Sequence, residues 1–189
     1  MINFFRAYGD KGSDKRLCRL EARRIASEAK TILDRDPAAT GALVQLSWAA
    51  LQNTDDNWDN AIGYAQQAID IDSSCWHAHG QLGLALLDKA VNNFRAPVDR
   101  ALIESSLVKA LNADGYLDYY HYGLGHVELM RGNCSGALRR FRVAWSYRPS
   151  YSRARAAIAG TYWFQHKYLD FWRNQFPVNI VYHGSSPVR

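Results

Sequence analysis

Apolar positions recur every three to four residues along most of this chain, the period of helices that bury one face. From about 14 to 34 the set is Leu17, Leu20, Ile25, Ala29, Ile32 and Leu33. Asp36-Pro37 closes that run, because proline disfavours helical geometry in the residue before it. Further helices are predicted at about 42–52, 58–71, 76–90, 99–113, 117–131, 135–147 and 152–165. Polar punctuation separates several of them, at Asp72-Ser73, Asp114-Gly115 and Arg148-Pro149. Asn57 and Asn133 are placed to cap helix N-termini, and Gly132 to close a helix C-terminus.

Within this pattern two short signals repeat in step. One is a pair of a large apolar and a small residue, at Leu46-Ser47, Leu82-Gly83, Leu124-Gly125 and Ile158-Ala159. The other is a triplet at helical spacing: Ile25/Ala29/Ile32, Ala61/Ala65/Ala68, Ile103/Leu107/Ala110 and Ala137/Phe141/Ala144. Both advance by 36, 42 and 34 residues, and each triplet precedes the next pair by 21. From pair to triplet the interval varies (15, 21, 13), so extra residues sit in turns inside helix pairs and the junctions between pairs stay fixed. The largest insertion, Asp88–Arg100, is expected to lengthen two helices by a turn each. A period in the thirties built from two helices predicts an all-α solenoid, a fold whose product is surface.

Composition adds bounds to that picture. With 189 residues, 48% hydrophobic and 22% charged, the chain can bury a core and is not broadly disordered. A net charge of +5 permits an acidic partner without requiring one. The cysteines at 18, 75 and 134 form no metal motif or disulfide framework, which favours a reducing compartment. No leader is visible at Met-Ile-Asn-Phe-Phe-Arg and no run is long enough to span a membrane, so a cytoplasmic location is expected. No phosphate loop, nucleophile elbow or cofactor motif appears; catalytic, metal and cofactor sites are all expected to be absent. His79 and His121 each fall three residues before a leading leucine and are expected to pack there as rings.

The segment from about Asp118 to Tyr151, with Leu124-Gly125, Gly132, Ala137, Phe141, Ala144 and Pro149, resembles the tetratricopeptide repeat (TPR) family, whose units are helix-turn-helix hairpins. Weaker copies begin near 42 and 76, a partial one opens at Ser152, and a lone second helix precedes the set. Three repeats over about 41–151 with flanking partial repeats make a domain at 14–174. A flexible arm at 1–13 and an extended tail at 175–189 complete the chain. The resemblance implies a right-handed superhelix of antiparallel helix pairs, with the first helix of each pair lining a concave channel.

By the same resemblance, the lining positions lie two residues either side of the leading Leu or Ile and five after it. They include Val44, Trp48, Leu51, Gly80, Leu84, Leu87, Tyr122, His126, Leu129, Ala156, Gly160 and Trp163, with His77, Tyr119 and Arg153 near the turns. The peptide-binding candidates are Trp48, Leu84, Leu87, Tyr119, Tyr122, His126, Leu129 and Trp163. So apolar a lining suits an apolar or aromatic segment of a partner protein and not a carboxylate clamp. A second candidate is basic. No Asp or Glu occurs from 131 to 155, and Arg139, Arg142, Arg153 and Arg155 define a patch for an acidic protein or RNA, nucleic acid being the less favoured. An alternative function is a sensory or regulatory module of a larger signalling or transcription protein. The aromatic tail (Phe176, Ile180, Tyr182) is expected to cap the last hairpin, fill the groove, or join a second copy.

Overall fold

A computed structural model describes residues 15–52, 57–92, 99–113, 118–150 and 152–165. They form eight helices: α1 (Lys15–Leu33), α2 (Thr40–Gln52), α3 (Trp58–Ile71), α4 (Trp76–Asn92), α5 (Arg100–Ala113), α6 (Asp118–Met130), α7 (Cys134–Tyr147) and α8 (Ser152–Phe164). Helix existence and order follow the apolar periodicity, with ends within one or two residues of those expected at most positions. The predicted arm and tail lie outside the described residues.

Each helix packs on the next, and α2/α3, α4/α5 and α6/α7 are the tightest neighbours, so three hairpins stand between a leading α1 and a trailing α8. The hairpins also touch across the stack, but on one side only. Helix α2 meets α4 and α4 meets α6, whereas the odd-numbered helices have no comparable contact with one another among the described residues. Crowding of one row and splaying of the other is curvature. The first helices of the pairs form the inner row, and α1, α3, α5 and α7 the outer.

The repeated small residues explain how close the helices come. Ser47 is fully buried, and its hydroxyl donates to the Ala61 carbonyl at 2.8 Å, stitching α2 to α3. A Cβ built on Gly83 would sit 2.7 Å from Leu107 Cγ, and one on Gly125 would enter the Phe141 ring. Glycine therefore marks where α4 meets α5 and α6 meets α7. The last three triplets, Ala61/Ala65/Ala68, Ile103/Leu107/Ala110 and Ala137/Phe141/Ala144, are buried throughout. The first is not: Ala29 is buried but Ile32 is 44% exposed. Helix α1 packs against α2 on one side, and its other side carries the ion-paired trio Glu21, Arg24 and Glu28. The same side also leaves Leu17 and Leu20 exposed, at 61% and 53%.

Turn chemistry repeats with the helices. Asp36 Oδ1 accepts from the Ala38 amide at 3.1 Å, and 36 residues on Asp72 Oδ1 accepts from the Ser74 amide at 2.9 Å. Gly132 ends α6 at φ 75°, a backbone region open to glycine, and the Asn133 amide reaches back to the Glu128 carbonyl. Asn133 then caps α7 by accepting from the Gly136 amide at 3.0 Å. Asn57 stands at the N-cap of α3 without that bond; its side-chain oxygen accepts from the Asn60 side chain instead. The insertion lengthens α4 to 17 residues and leaves α5 at 14, the length of α3 and α7. Only one helix grew.

Candidate functional site

The inner row does not present all of its expected lining. Trp48 is 2% exposed and packs against Ala22, Ile25 and Ala26 of α1, so its indole is core. Val44 is covered beside Ala78 of α4. Leu84 and Leu87 are buried in one cluster with Tyr119, Tyr120 and Leu124 of α6. Gly80 lies beneath the Tyr120 hydroxyl, with no room for a Cβ. The open lining expected at Trp48, Leu84, Leu87 and Tyr119 is thus corrected. Neighbouring inner helices approach closely enough for these side chains to fill the seams between them.

Towards the C-terminal end the same positions open. On α6, Tyr122, His126 and Leu129 are part-exposed, and on α8 Trp163 is 50% exposed. Arg153 and Ala156 share the exposed strip of α8, and Gly160 has open space where a Cβ would be. The α6 rings stand on a rigid base. Phe141 of α7, fully buried, lies 5.7 Å from the Tyr122 ring and 5.2 Å from the His126 ring, which meet each other edge-on at 4.6 Å. Burial lowers the His126 imidazole to about 4, so the ring is neutral at pH 7 and adds no charge to the surface.

One acid on this side lay beyond the lining pattern. Asp88 of α4, six residues after Leu82, has its carboxyl raised by burial, an effect that Arg153 of α8 opposes. Burial also pushes up the Tyr122 phenol, which feels both Arg153 and Asp88. These three side chains share one electrostatic environment around the exposed rings. Gln81 is a further inner-side residue outside the pattern; it is buried, and its Oε1 accepts no hydrogen bond among the described residues. The only signal for either was a polar residue on an otherwise apolar helix face.

The arginine run is not one patch. Arg131 is ion-paired to Glu104 of α5, and Arg148 to Asp118 at 3.0 Å while donating to the Tyr119 hydroxyl at 2.9 Å. Arg140 lies 3.4 Å from His121, whose ring stacks on Tyr147. Arg153 and Arg155, two residues apart, fall on nearly opposite sides of α8, Arg153 towards Asp88 and Tyr122. The expected quartet of Arg139, Arg142, Arg153 and Arg155 therefore divides between two faces. The acids that neutralise the run come from helices distant in sequence.

His79 is buried, with Nε2 3.0 Å from the Ser73 carbonyl, a bond in which the ring nitrogen donates. Cys18, Cys75 and Cys134 are free thiols. Among the described residues no group of three His, Cys, Asp or Glu side chains is placed to hold a metal, and no helix is long and apolar enough to cross a membrane.

No family model matches the chain, and no curated protein matches it. Solved structures do. A crystal structure of MamA superposes with a TM-score of 0.58 at 18% identity, over 79% of this chain and 81% of that one. A structure titled MamA AMB-1 gives 0.60 at 15% identity, over 82% and 86%. A thermophilic TPR protein in Thermus thermophilus gives 0.55 at 20% identity, over 76% of each chain. Fold and comparisons together define an all-α helical-repeat solenoid. The chain has the fold of a TPR protein.

Proposed function

We propose that this protein is a non-catalytic interaction module that binds an apolar or aromatic segment of a partner protein on the inner surface of its C-terminal half. The observation that carries this reading is the exposure of equivalent positions on two inner-row helices: Trp163 of α8 is half-exposed, and Tyr122, His126 and Leu129 of α6 are part-exposed. Large rings left in water are costly, and rings fixed on a packed base bind with little loss of conformational freedom. His126 being neutral, these rings add no charge of their own, and Arg153 and Asp88 are the charged groups that act on Tyr122.

Peptides selected from a random twelve-residue library against the protein are expected to be rich in aromatic and branched apolar residues. Burial of one large side chain is worth about 1.5–3 kcal/mol. Tyr122→Ala with Trp163→Ala removes two such side chains and should therefore weaken such peptides by at least roughly a hundredfold, measured by fluorescence anisotropy. Trp48→Phe should leave affinity within about twofold, because that indole faces α1. Selected peptides that ignore the double substitution would place the binding surface elsewhere.

A further inference from the structure

Apart from ion-paired Arg131 and Arg148, from Arg140 beside His121, and from Arg153 near Asp88 and Tyr122, three arginines of the run are left, and they lie away from the inner surface. Arg139 and Arg142 are exposed one turn apart on α7, and Arg155 is part-exposed on α8. Among the described residues no carboxylate pairs with any of them. The sequence offers no Asp or Glu between Glu128 and Asp170, so the whole last stretch of the solenoid lacks its own acids. Arg142 is also held in place. Its guanidinium donates to the Tyr162 hydroxyl and lies 5.8 Å from the centre of that ring, which is itself buried. Arg155 stands seven residues before Tyr162 on the same strip of α8, two turns or roughly 10 Å away.

We infer that the α7–α8 face around Tyr162 is a second docking surface, built to take the carboxylates of an acidic protein segment on Arg139, Arg142 and Arg155. Guanidinium forks match carboxylates with two parallel hydrogen bonds, and an arginine already anchored gives up less freedom in making them. Charge complementarity selects the acid. The Arg139–Arg142 strip of α7 otherwise carries Ser135 and Ser146, and the exposed Tyr147 ring beside it is already stacked on His121. Three guanidiniums within a few turns also suit a short segment better than a long phosphate track. This surface does not depend on the inner one.

The test uses the full chain with a fluorescent ten-residue peptide of alternating Glu and Ser, and a ten-nucleotide oligouridylate as the competing class. The peptide is expected to bind at 50 mM salt, and Arg139→Ala/Arg142→Ala/Arg155→Ala to weaken it at least tenfold. Tyr162→Phe keeps the ring but removes the hydroxyl that anchors Arg142, and should cost about threefold. Tyr122→Ala should change affinity less than twofold. Should the triple alanine variant fail to fold, the triple lysine variant replaces it, with an expected loss of at least threefold because lysine cannot form the fork. The proposal is overturned if the wild type does not bind the peptide or if the folded triple variant still does. Tighter binding of the oligouridylate through the same arginines overturns it as well.

Discussion

Phe141→Ala should destabilise the C-terminal half of the solenoid by about 4 kcal/mol, the usual cost of emptying a fully buried phenylalanine site. Three features converge on that ring. It fills the space that Gly125 leaves, joins the cluster of Leu138, Ile158 and Tyr162, and supports Tyr122 and His126 from below. A solenoid is quasi-one-dimensional, so the loss should stay local. Hydrogen exchange is expected to accelerate across α6, α7 and α8 while α2 and α3 keep their protection. The packing of α5 on α6, looser than the other junctions between hairpins, is where that boundary should fall. Binding of the selected aromatic peptides should disappear in the same variant, since their platform has lost its base. Uniform destabilisation of all eight helices would contradict the repeat-by-repeat account.

Acid should expose the cost of burying His126. Its folded-state value is about 4, below the ordinary 6.5 of an unfolded chain. The neutral ring is favoured by folding, so its contribution is fully present above pH 6.5 and is lost as pH falls towards 4 and below. Allowing for the part-exposed position, the loss amounts to about 2 to 3 kcal/mol. Asp88 and Asp118 act in the opposite sense. Burial raises both carboxyls, so their protonated forms are favoured by folding and acidification stabilises through them. The informative quantity is consequently a difference. Between pH 7 and pH 4 the wild type should lose about 2 to 3 kcal/mol more than His126→Leu, measured by urea unfolding, because the carboxyl contributions are common to both. Equal losses would show that His126 titrates as it does in the unfolded chain.

The fold was legible because its constraints are local and repeated. Leu124-Gly125 and Ala137/Phe141/Ala144 state a contact between helices in a few residues, and the fixed junction spacing states how hairpins stack. The exceptions have equally local causes. Ile32 stays exposed although it matches its triplet, because no described helix covers that side of α1. The helix gained from the insertion is α4 alone, which spacing could not apportion between two neighbours.

The site was legible only in part. An inner-row position carries the same residue type whether it fills the seam with the next inner helix or faces the hollow, so Trp48 and Leu87 read like Leu129 and Trp163. What separates them is how near adjacent inner helices come, and a single sequence does not encode that in any one residue. The arginine run misled for a related reason. Counting from 131 to 155 met no acid, yet Arg131 pairs with Glu104, 27 residues back, and Arg148 with Asp118, 30 back, each delivered by the superhelix.

The central claim is that a partner segment lies against α6 and α8 on the inner side of the curve. Chemical-shift mapping with methyl and indole labels, during titration with a selected aromatic peptide, addresses it directly. Saturable shifts at the Trp163 indole and the Leu129 methyls, with Ile71 and Leu102 on outer-row helices unmoved, are the predicted result. Shifts centred on Ile71 and Leu102, with Trp163 and Leu129 silent, would contradict it.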